Sequence, residues 1–232
     1  MKAVILAGGK GTRLKPYTTT LPKPLMPVGD QAILEIVIAQ LKAAGITEIT
    51  LAVGHLAELI MAYFGDGKKH GVKITYYREE SPLGTAGPLA NITGLNESFL
   101  VMNGDILTTL SYKKLIDEHK KSGAAVTVSV NRREVNIDYG VISTNNKGDI
   151  TAYTEKPKLQ YDVSMGINVV HPRALAYLKK GQRFDFPDFI RLLLAKGEQV
   201  KVYESKDYWL DIGRPDDYVK AQEEFTAEKF LP

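Results

Sequence analysis

Three short stretches carry most of the chemistry this chain can do. They are the glycine-rich run Gly8-Gly9-Lys10-Gly11-Thr12-Arg13, the lysine of Pro22-Lys23-Pro24, and Asn103-Gly104-Asp105 after an apolar run. Glycines let a backbone turn sharply and set bare N–H groups against phosphate oxygens, and a guanidinium adds a planar fork of donors to the same anion. Lys23, stiffened by its two prolines, presents an ammonium that suits a polyphosphate. Arg13 and Lys23 are both read as loop cations whose loss harms catalysis more than stability. Asp105 follows a glycine at the end of an apolar run, so its carboxylate stands at a strand end, where it either caps a turn or ligates Mg²⁺ with substrate phosphates completing the shell. Plainer readings stand beside these: turn glycines and a solvated loop lysine.

Two familiar phosphate loops do not fit. A dinucleotide G-x-G-x-x-G starting at Gly9 would need glycine or alanine where Leu14 stands, and no stretch reads as G-x-x-x-x-G-K-[ST]. The spacing disfavours a Rossmann oxidoreductase. Later in the chain, Glu155-Lys156-Pro157 offers an acceptor and a cation held before a stiffening proline, or simply a solvated ion pair. Trp209 and Tyr208 could wall a ligand site, but a lone tryptophan in an apolar run is more often core, and both are left out of the site.

These groups need a scaffold, and the pattern supplies an α/β one: a Rossmann-like, mainly parallel, mixed sheet flanked by helices. Val4-Ile5-Leu6 is the first strand, which puts Leu6 to Arg13 at the carboxyl edge where open α/β sheets bind ligands. Ile33, Leu34, Val37, Ile38 and Leu41 recur at helical spacing, Gly45 stops that helix, and Ile49 to Val53 and Val72 to Tyr77 are the next strands. Phe99 to Met102 precedes Asp105, Ser111 caps a helix holding Leu115 and Ile116, and Ala125 to Val130 alternates as a strand. Tyr139 to Lys156 then reads as an inserted hairpin around Asn145-Asn146-Lys147-Gly148, lying over one sheet edge as a lid or wall. Pro187 starts a helix, Val200 to Tyr203 and Tyr208 to Ile212 are late strands, and Pro215 opens a final helix. Without repeats or a linker, residues 1–232 read as a single domain.

Bulk properties narrow the partners. With 30 Lys+Arg against 27 Asp+Glu, the net charge of +3 supplies no global field for nucleic acid. No cysteine occurs, so disulfides, thiolate metal sites and a cysteine nucleophile are excluded, and the 4 histidines lack zinc-like spacing. The apolar opening Lys2 to Ala7 is far shorter than a bilayer span and lacks a signal-peptide layout, so a soluble, cytoplasmic protein without a membrane partner is expected.

An ordered set of motifs carries a family resemblance: Gly8 to Leu14, Pro22-Lys23-Pro24, Pro82-Leu83-Gly84-Thr85-Ala86-Gly87, Asn103-Gly104-Asp105, Tyr139-Gly140-Val141, Glu155-Lys156-Pro157 and Tyr208 to Gly213. This text resembles the sugar nucleotidyltransferases, the NDP-sugar pyrophosphorylases, over nearly the whole chain. Within them it is most similar to mannose-1-phosphate guanylyltransferases and related heptose- and amino-sugar-phosphate guanylyltransferases. The resemblance implies the nucleotide-diphospho-sugar transferase fold and a stand-alone catalytic domain. It also implies Mg²⁺ as cofactor, an NTP and a sugar 1-phosphate as substrates, and a homodimer as the assembly to test. The nucleotide is then expected at Leu6, Ala7, Gly8, Gly9, Gly11, Thr12, Arg13, Lys23, Gly84, Thr85, Asn103 and Gly104, and the metal at Asp105 with Asp211 as second ligand. The sugar phosphate is expected at Gly140, Glu155 and Lys156, and Lys156 joins Arg13, Lys23 and Asp105 in catalysis. Relatives often place an asparagine two residues before the glycine that is here Gly166; this chain has Ser164, with Asn168 close by to take over a hydrogen bond.

Glu79 stands, counting back from Gly84, where thymidylyl-transferring relatives place a glutamine for the base. Guanine exposes N1–H and an amino group side by side, two donors that one carboxylate accepts together, so GTP is the expected nucleotide. A uridylyl- or thymidylyltransferase acting on glucose 1-phosphate or an amino-sugar 1-phosphate is the alternative, as is a non-catalytic nucleotide-sugar-binding subunit. Such a subunit would be expected to have lost a metal ligand or the phosphate loop.

Overall fold

The computed structural model describes residues 1–232. In chain order, β1 (Lys2–Ala7) leads through short 3-10 turns to the small pair β2 (Pro27–Val28) and β3 (Gln31–Ala32), then α1 (Ile33–Ala43), β4 (Glu48–Val53), α2 (Ala57–Phe64) and β5 (Lys73–Arg78). There follow β6 (Phe99–Asn103), β7 (Ile106–Thr108), α3 (Tyr112–Ser122), β8 (Val126–Asn136), β9 (Val141–Thr144), β10 (Ile150–Thr154) and β11 (Lys158–Val170). The chain ends with α4 (Phe186–Ala195), β12 (Val200–Ser205), β13 (Trp209–Asp211), α5 (Pro215–Glu224) and α6 (Ala227–Phe230).

Seven strands form one sheet in the order β12-β8-β11-β6-β1-β4-β5. β1 pairs parallel with both β4 and β6, β4 with β5 and β12 with β8, while β11 runs antiparallel between β6 and β8. The sheet is therefore mainly parallel and mixed, as its pattern predicts. Chain order reverses at β1: β4 and β5 are laid down on one side of it and β6 on the other. The carboxyl ends of β1 and β6 thus flank a topological switch point, where open α/β sheets leave a crevice.

Both faces are covered because both carry apolar side chains. The α1 stripe Leu34, Val37, Ile38 and Leu41 is buried in one cluster with Ile5, Leu51 and Met102, as its helical spacing requires, and Gly45 follows with φ 81°. On the opposite face Phe99 and Val101 meet Leu89, Phe189 and Leu193. Ser111 caps α3, its hydroxyl accepting the Lys114 N–H at 3.4 Å.

Several elements differ from expectation. The eight-residue α2 is not foreseen, although Ala57, Ile60 and Phe64 turn to the core at helical spacing. β8 runs past Val130 to Asn136, and β11 is wholly unforeseen. Beyond the sheet these two strands form a two-stranded arm whose charged face, with the ion pairs Arg132–Asp162 and Lys158–Glu134, hides the apolar alternation of a half-buried strand. The expected hairpin exists as β9 and β10, but it sits at the tip of that arm with both strands exposed along their length, so it forms no wall packed on the sheet. Finally, α5 is followed by α6, which buries Phe230.

Candidate active site

The switch point opens into a cleft of about 370 Å³. Leu6, Ala7, Gly8, Gly9, Gly11, Thr12, Arg13, Lys23, Glu79, Gly84, Thr85, Asn103, Gly104 and Asp105 all line it, joined by Pro24 and Pro82. The two strand ends are tied together where the Gly104 N–H donates to the Leu6 carbonyl at 3.0 Å.

Glu79 closes one wall. Its Oε2 accepts the Leu83 N–H at 2.8 Å, and Oε1 lies so close to Gly8 that a Cβ there would sit 2.7 Å from it. Burial raises the Glu79 pKa, with the Leu83 N–H working against that rise.

The neighbouring loop is latched to the start of α4. Phe184 donates its N–H to Leu83 O at 2.9 Å, and its own carbonyl accepts from Ala86 and Gly87 at 2.9 and 3.0 Å. The Thr85 N–H donates to Asp185 Oδ1 at 3.2 Å, and Thr85 Oγ1 accepts the Phe186 N–H at 2.7 Å, so the threonine caps the helix while the aspartate holds the loop. Gly84 is required between them: its φ is 77°, and a Cβ would fall 2.5 Å from Asp185 Oδ1.

Two aspartates far apart in sequence meet here. β13 pairs antiparallel with β7, setting Asp211 opposite Ile106, and the Ile212 N–H donates to the Asp105 carbonyl at 3.1 Å. Asp105 Oδ2 is bound by the Lys23 ammonium, while its Oδ1 is buried without a partner. Burial raises the Asp211 pKa, Asp105's charge adds to that rise, and Lys23 and Arg13 oppose it. An orphaned carboxylate oxygen beside a second carboxylate fits a hard divalent ion such as Mg²⁺, which takes one or two carboxylates and completes its shell with water and phosphate oxygens. No group of three or more acidic or histidine side chains gathers as an all-protein cage.

A second pocket, about 570 Å³, adjoins the first and shares Leu6, Thr85 and Asn103 with it. Asp211, Ser164, Gly166 and Asn168 line it, together with Val101, Val128, Met165, Phe186, Ile190, Arg191 and Trp209. A register shift in β11 between Ser164 and Asn168 opens the strand at this point. Trp209 serves as both core and wall, and leaving it out of the site is corrected here. It packs on the main apolar cluster and donates Nε1–H to Met165 O at 2.9 Å, yet it also walls the pocket, with the Arg133 guanidinium 5.0 Å from its ring. The α4 residues carried a helix signal, Pro187 leading into Phe189 to Leu194, but nothing that marked them as lining a site.

Three expected sugar-site residues are not brought to either pocket. Glu155 and Lys156 are exposed at the base of the hairpin, and Gly140 lies beside them. Glu155 accepts the Tyr153 hydroxyl at 3.1 Å, and Lys156, with the unusual φ of 46°, donates its N–H to Tyr139 O. In this conformation the arm holds them away from the cleft.

The family profile described as nucleotidyl transferase matches residues 2–228. Among curated relatives, UTP–glucose-1-phosphate uridylyltransferase of Synechocystis is 34% identical over 241 residues, covering 95% of this chain and 62% of the relative. Mannose-1-phosphate guanylyltransferase of Mycobacterium tuberculosis is 33% identical over 224 residues, covering 94% and 62%. The chain thus spans less than two thirds of the length of these relatives. Among solved structures, HddC from Yersinia pseudotuberculosis complexed with GMP-PN superposes with a TM-score of 0.74 at 26% identity, covering 97% of this chain and 99% of that one. The likeness runs in order from the first strand into the last helical turn, and it makes this chain a member of the nucleotidyl transferase family.

Proposed function

We propose that this protein transfers a nucleotidyl group from a nucleoside triphosphate to a sugar 1-phosphate, releasing pyrophosphate. The observation that carries the reading is the convergence of the glycine loop, Arg13, Lys23 and Asp105 at one switch-point crevice, with Asp211 set beside Asp105 in the lining of the adjoining pocket. A sugar 1-phosphate is already an anionic nucleophile near neutral pH, its second ionisation lying near pH ~6 by analogy with phosphorylated side chains. No general base is then needed: the phosphate oxygen forms a bond to the α-phosphorus as the bond from that phosphorus to pyrophosphate breaks. The protein's part is alignment and relief of charge. Backbone N–H groups from Gly8 to Thr12 and the Arg13 fork hold the triphosphate. Lys23 neutralises Asp105 and adds positive charge beside the cleft. Asp105 and Asp211 would hold Mg²⁺, which when bound supplies charge neutralisation across the phosphates.

Guanine is the proposed base, with Glu79 as its reader; what supports this is a carboxylate held in the cleft wall by Leu83. The uridylyl relative keeps UTP as the alternative nucleotide. Pyrophosphate release measured with GTP, UTP, dTTP and ATP against a panel of sugar 1-phosphates tests both levels. Guanine preference that weakens toward pyrimidines in Glu79→Gln is the expected outcome, on the order of 10²-fold between matched and mismatched bases. Unchanged selectivity in that variant removes Glu79 from the base site, and silence with every pair removes the transferase reading.

A further inference from the structure

Thr18 is a polar residue buried between two exposed neighbours: it is 2% exposed, while Tyr17 and Thr19 face solvent. Its hydroxyl donates to the Gly11 carbonyl at 2.7 Å. The same carbonyl accepts the Leu14 N–H at 2.9 Å, which closes the single turn Thr12–Leu14. The Thr18 methyl packs against Gly11 as well, since the φ of that glycine is 59° and a Cβ on it would fall 2.8 Å from Thr18 Cγ2. What these contacts fix is the direction of one peptide plane. In a trans peptide the C=O and N–H point opposite ways, so holding Gly11 O turns the Thr12 N–H of the same plane away from Thr18. Gly11 and Thr12 line the nucleotide cleft, and Thr18 and Leu14 do not. The Thr12 N–H, first in its turn, has no acceptor within that turn. If the plane rotated by half a turn, as a glycine's freedom allows, a carbonyl oxygen would face the phosphates where a donor now does, and its partial negative charge would repel them.

We infer that Thr18 is a positioning residue for the triphosphate: its hydroxyl locks the Gly11–Thr12 peptide with the N–H toward the cleft, and it touches no substrate itself. The assignment rests on the transferase reading above and adds to it a residue that acts through the glycine loop. Its effect belongs to the nucleotide alone, because Gly11 and Thr12 line the nucleotide cleft and not the adjoining pocket. The hydroxyl rather than the bulk of the side chain is what the role requires. Valine has nearly the same shape, but it would leave the Gly11 carbonyl with the Leu14 N–H as its sole tether, and serine would keep both bonds without the methyl.

Two pairs of proteins isolate the hydroxyl: wild type against Thr18→Val, which keeps the shape, and Thr18→Ser against Thr18→Ala, which both lack the methyl. Each is titrated by calorimetry with GTP, UTP and inorganic tripolyphosphate in the presence of Mg²⁺, its KM is measured for nucleotide and for sugar phosphate, and its unfolding midpoint is recorded. Loss of the hydroxyl should weaken nucleotide and tripolyphosphate binding about tenfold in both pairs while the KM for sugar phosphate stays within about twofold, the scale of one hydrogen bond to a charged group. Thr18→Ser loses a buried methyl, so it should unfold at a lower temperature than wild type and still bind nucleotide within about threefold of it. That crossing separates positioning from packing. Binding that simply follows the midpoints across the four proteins would overturn the proposal, as would nucleotide binding unchanged in Thr18→Val and Thr18→Ala, or an equal rise in both KM values. The serine–alanine pair carries the comparison alone if Thr18→Val does not fold. Tripolyphosphate binding that depends on the hydroxyl, in a protein that turns over no sugar phosphate, removes the transferase reading and keeps the Thr18 assignment. Turnover with a nucleotide KM indifferent to the hydroxyl does the reverse.

Discussion

Lys23 and Arg13 bring the same charge to one cleft from different settings, and their substitutions should separate. Lys23 is 8% exposed and its ammonium is bound to Asp105, whereas Arg13 is exposed. Lys23→Ala strips a partly buried carboxylate of its partner while Asp211 stays close, so it should lower both turnover and stability, the latter by about 1–3 kcal/mol. This corrects the expectation that both cations matter little for folding. Arg13→Ala should cut turnover with an unfolding midpoint near wild type. Midpoints measured by calorimetry beside pyrophosphate release check the pair; equal destabilisation by both would mean the Lys23–Asp105 contact contributes nothing special. At Asp105 itself, Asn keeps the shape of the side chain but ligates Mg²⁺ poorly, so Asp105→Asn should lose orders of magnitude in turnover and remain folded. A well-folded Asp105→Asn protein with near wild-type turnover would sink the metal assignment.

Between elements, the exchange of caps at Thr85 and Asp185 matters most, because it ties the nucleotide loop to the helix that walls the second pocket. Thr85→Val removes the acceptor at the N-terminus of α4, and Asp185→Ala frees the Thr85 N–H. Each should raise KM for the nucleotide by roughly 5- to 30-fold, the equivalent of about 1–2 kcal/mol, with a smaller effect on kcat. Since both bonds hold the same junction, the double variant should cost less than the sum of the single ones, and Thr85→Ser should restore most of the loss. Strict additivity in the four-variant cycle would show that the two contacts act separately. Sequence reading had no access to this latch, whose partners lie 100 and 101 residues apart.

At the scale of the whole molecule, acid stability should turn on one buried imidazole. His119 of α3 is 2% exposed and lies between Ser98 Oγ at 3.1 Å and Thr127 Oγ1 at 2.9 Å. Burial, with the nearby His171 and Arg173 adding to it, pushes its pKa down to about 4 from the ordinary 6.5. The unfolded chain therefore takes up the proton first as pH falls. The stability due to neutral His119 is whole above pH 6.5, declines as pH drops toward about 4, and is level below that. Unfolding free energy should fall by on the order of 2–3 kcal/mol across this window, and His119→Gln should flatten that limb. An unchanged pH profile in the variant would assign acid sensitivity elsewhere.

The sequence by itself determined strands at Val4 to Leu6, Ile49 to Val53, Val72 to Tyr77 and Phe99 to Met102, the apolar stripe of α1, and the glycine turn after the first strand, while the rest of the cleft's expected lining came with the family resemblance. It could do so because each of these is local: a run of β-branched residues, a helical period, or a glycine turn directly after a strand. The tertiary structure alone decided what depends on pairing between distant segments. The β7–β13 ladder brings Asp211 to Asp105, and the pairing of β11 with β6 and β8 places Asn168 in the lining of a pocket that α4 also walls. The arm of β8 and β11 likewise carries Gly140, Glu155 and Lys156 out beyond the sheet rather than over the cleft. Such placements follow from strand order and register, which a chain read from one end to the other records only as separate polar residues with no partner in view.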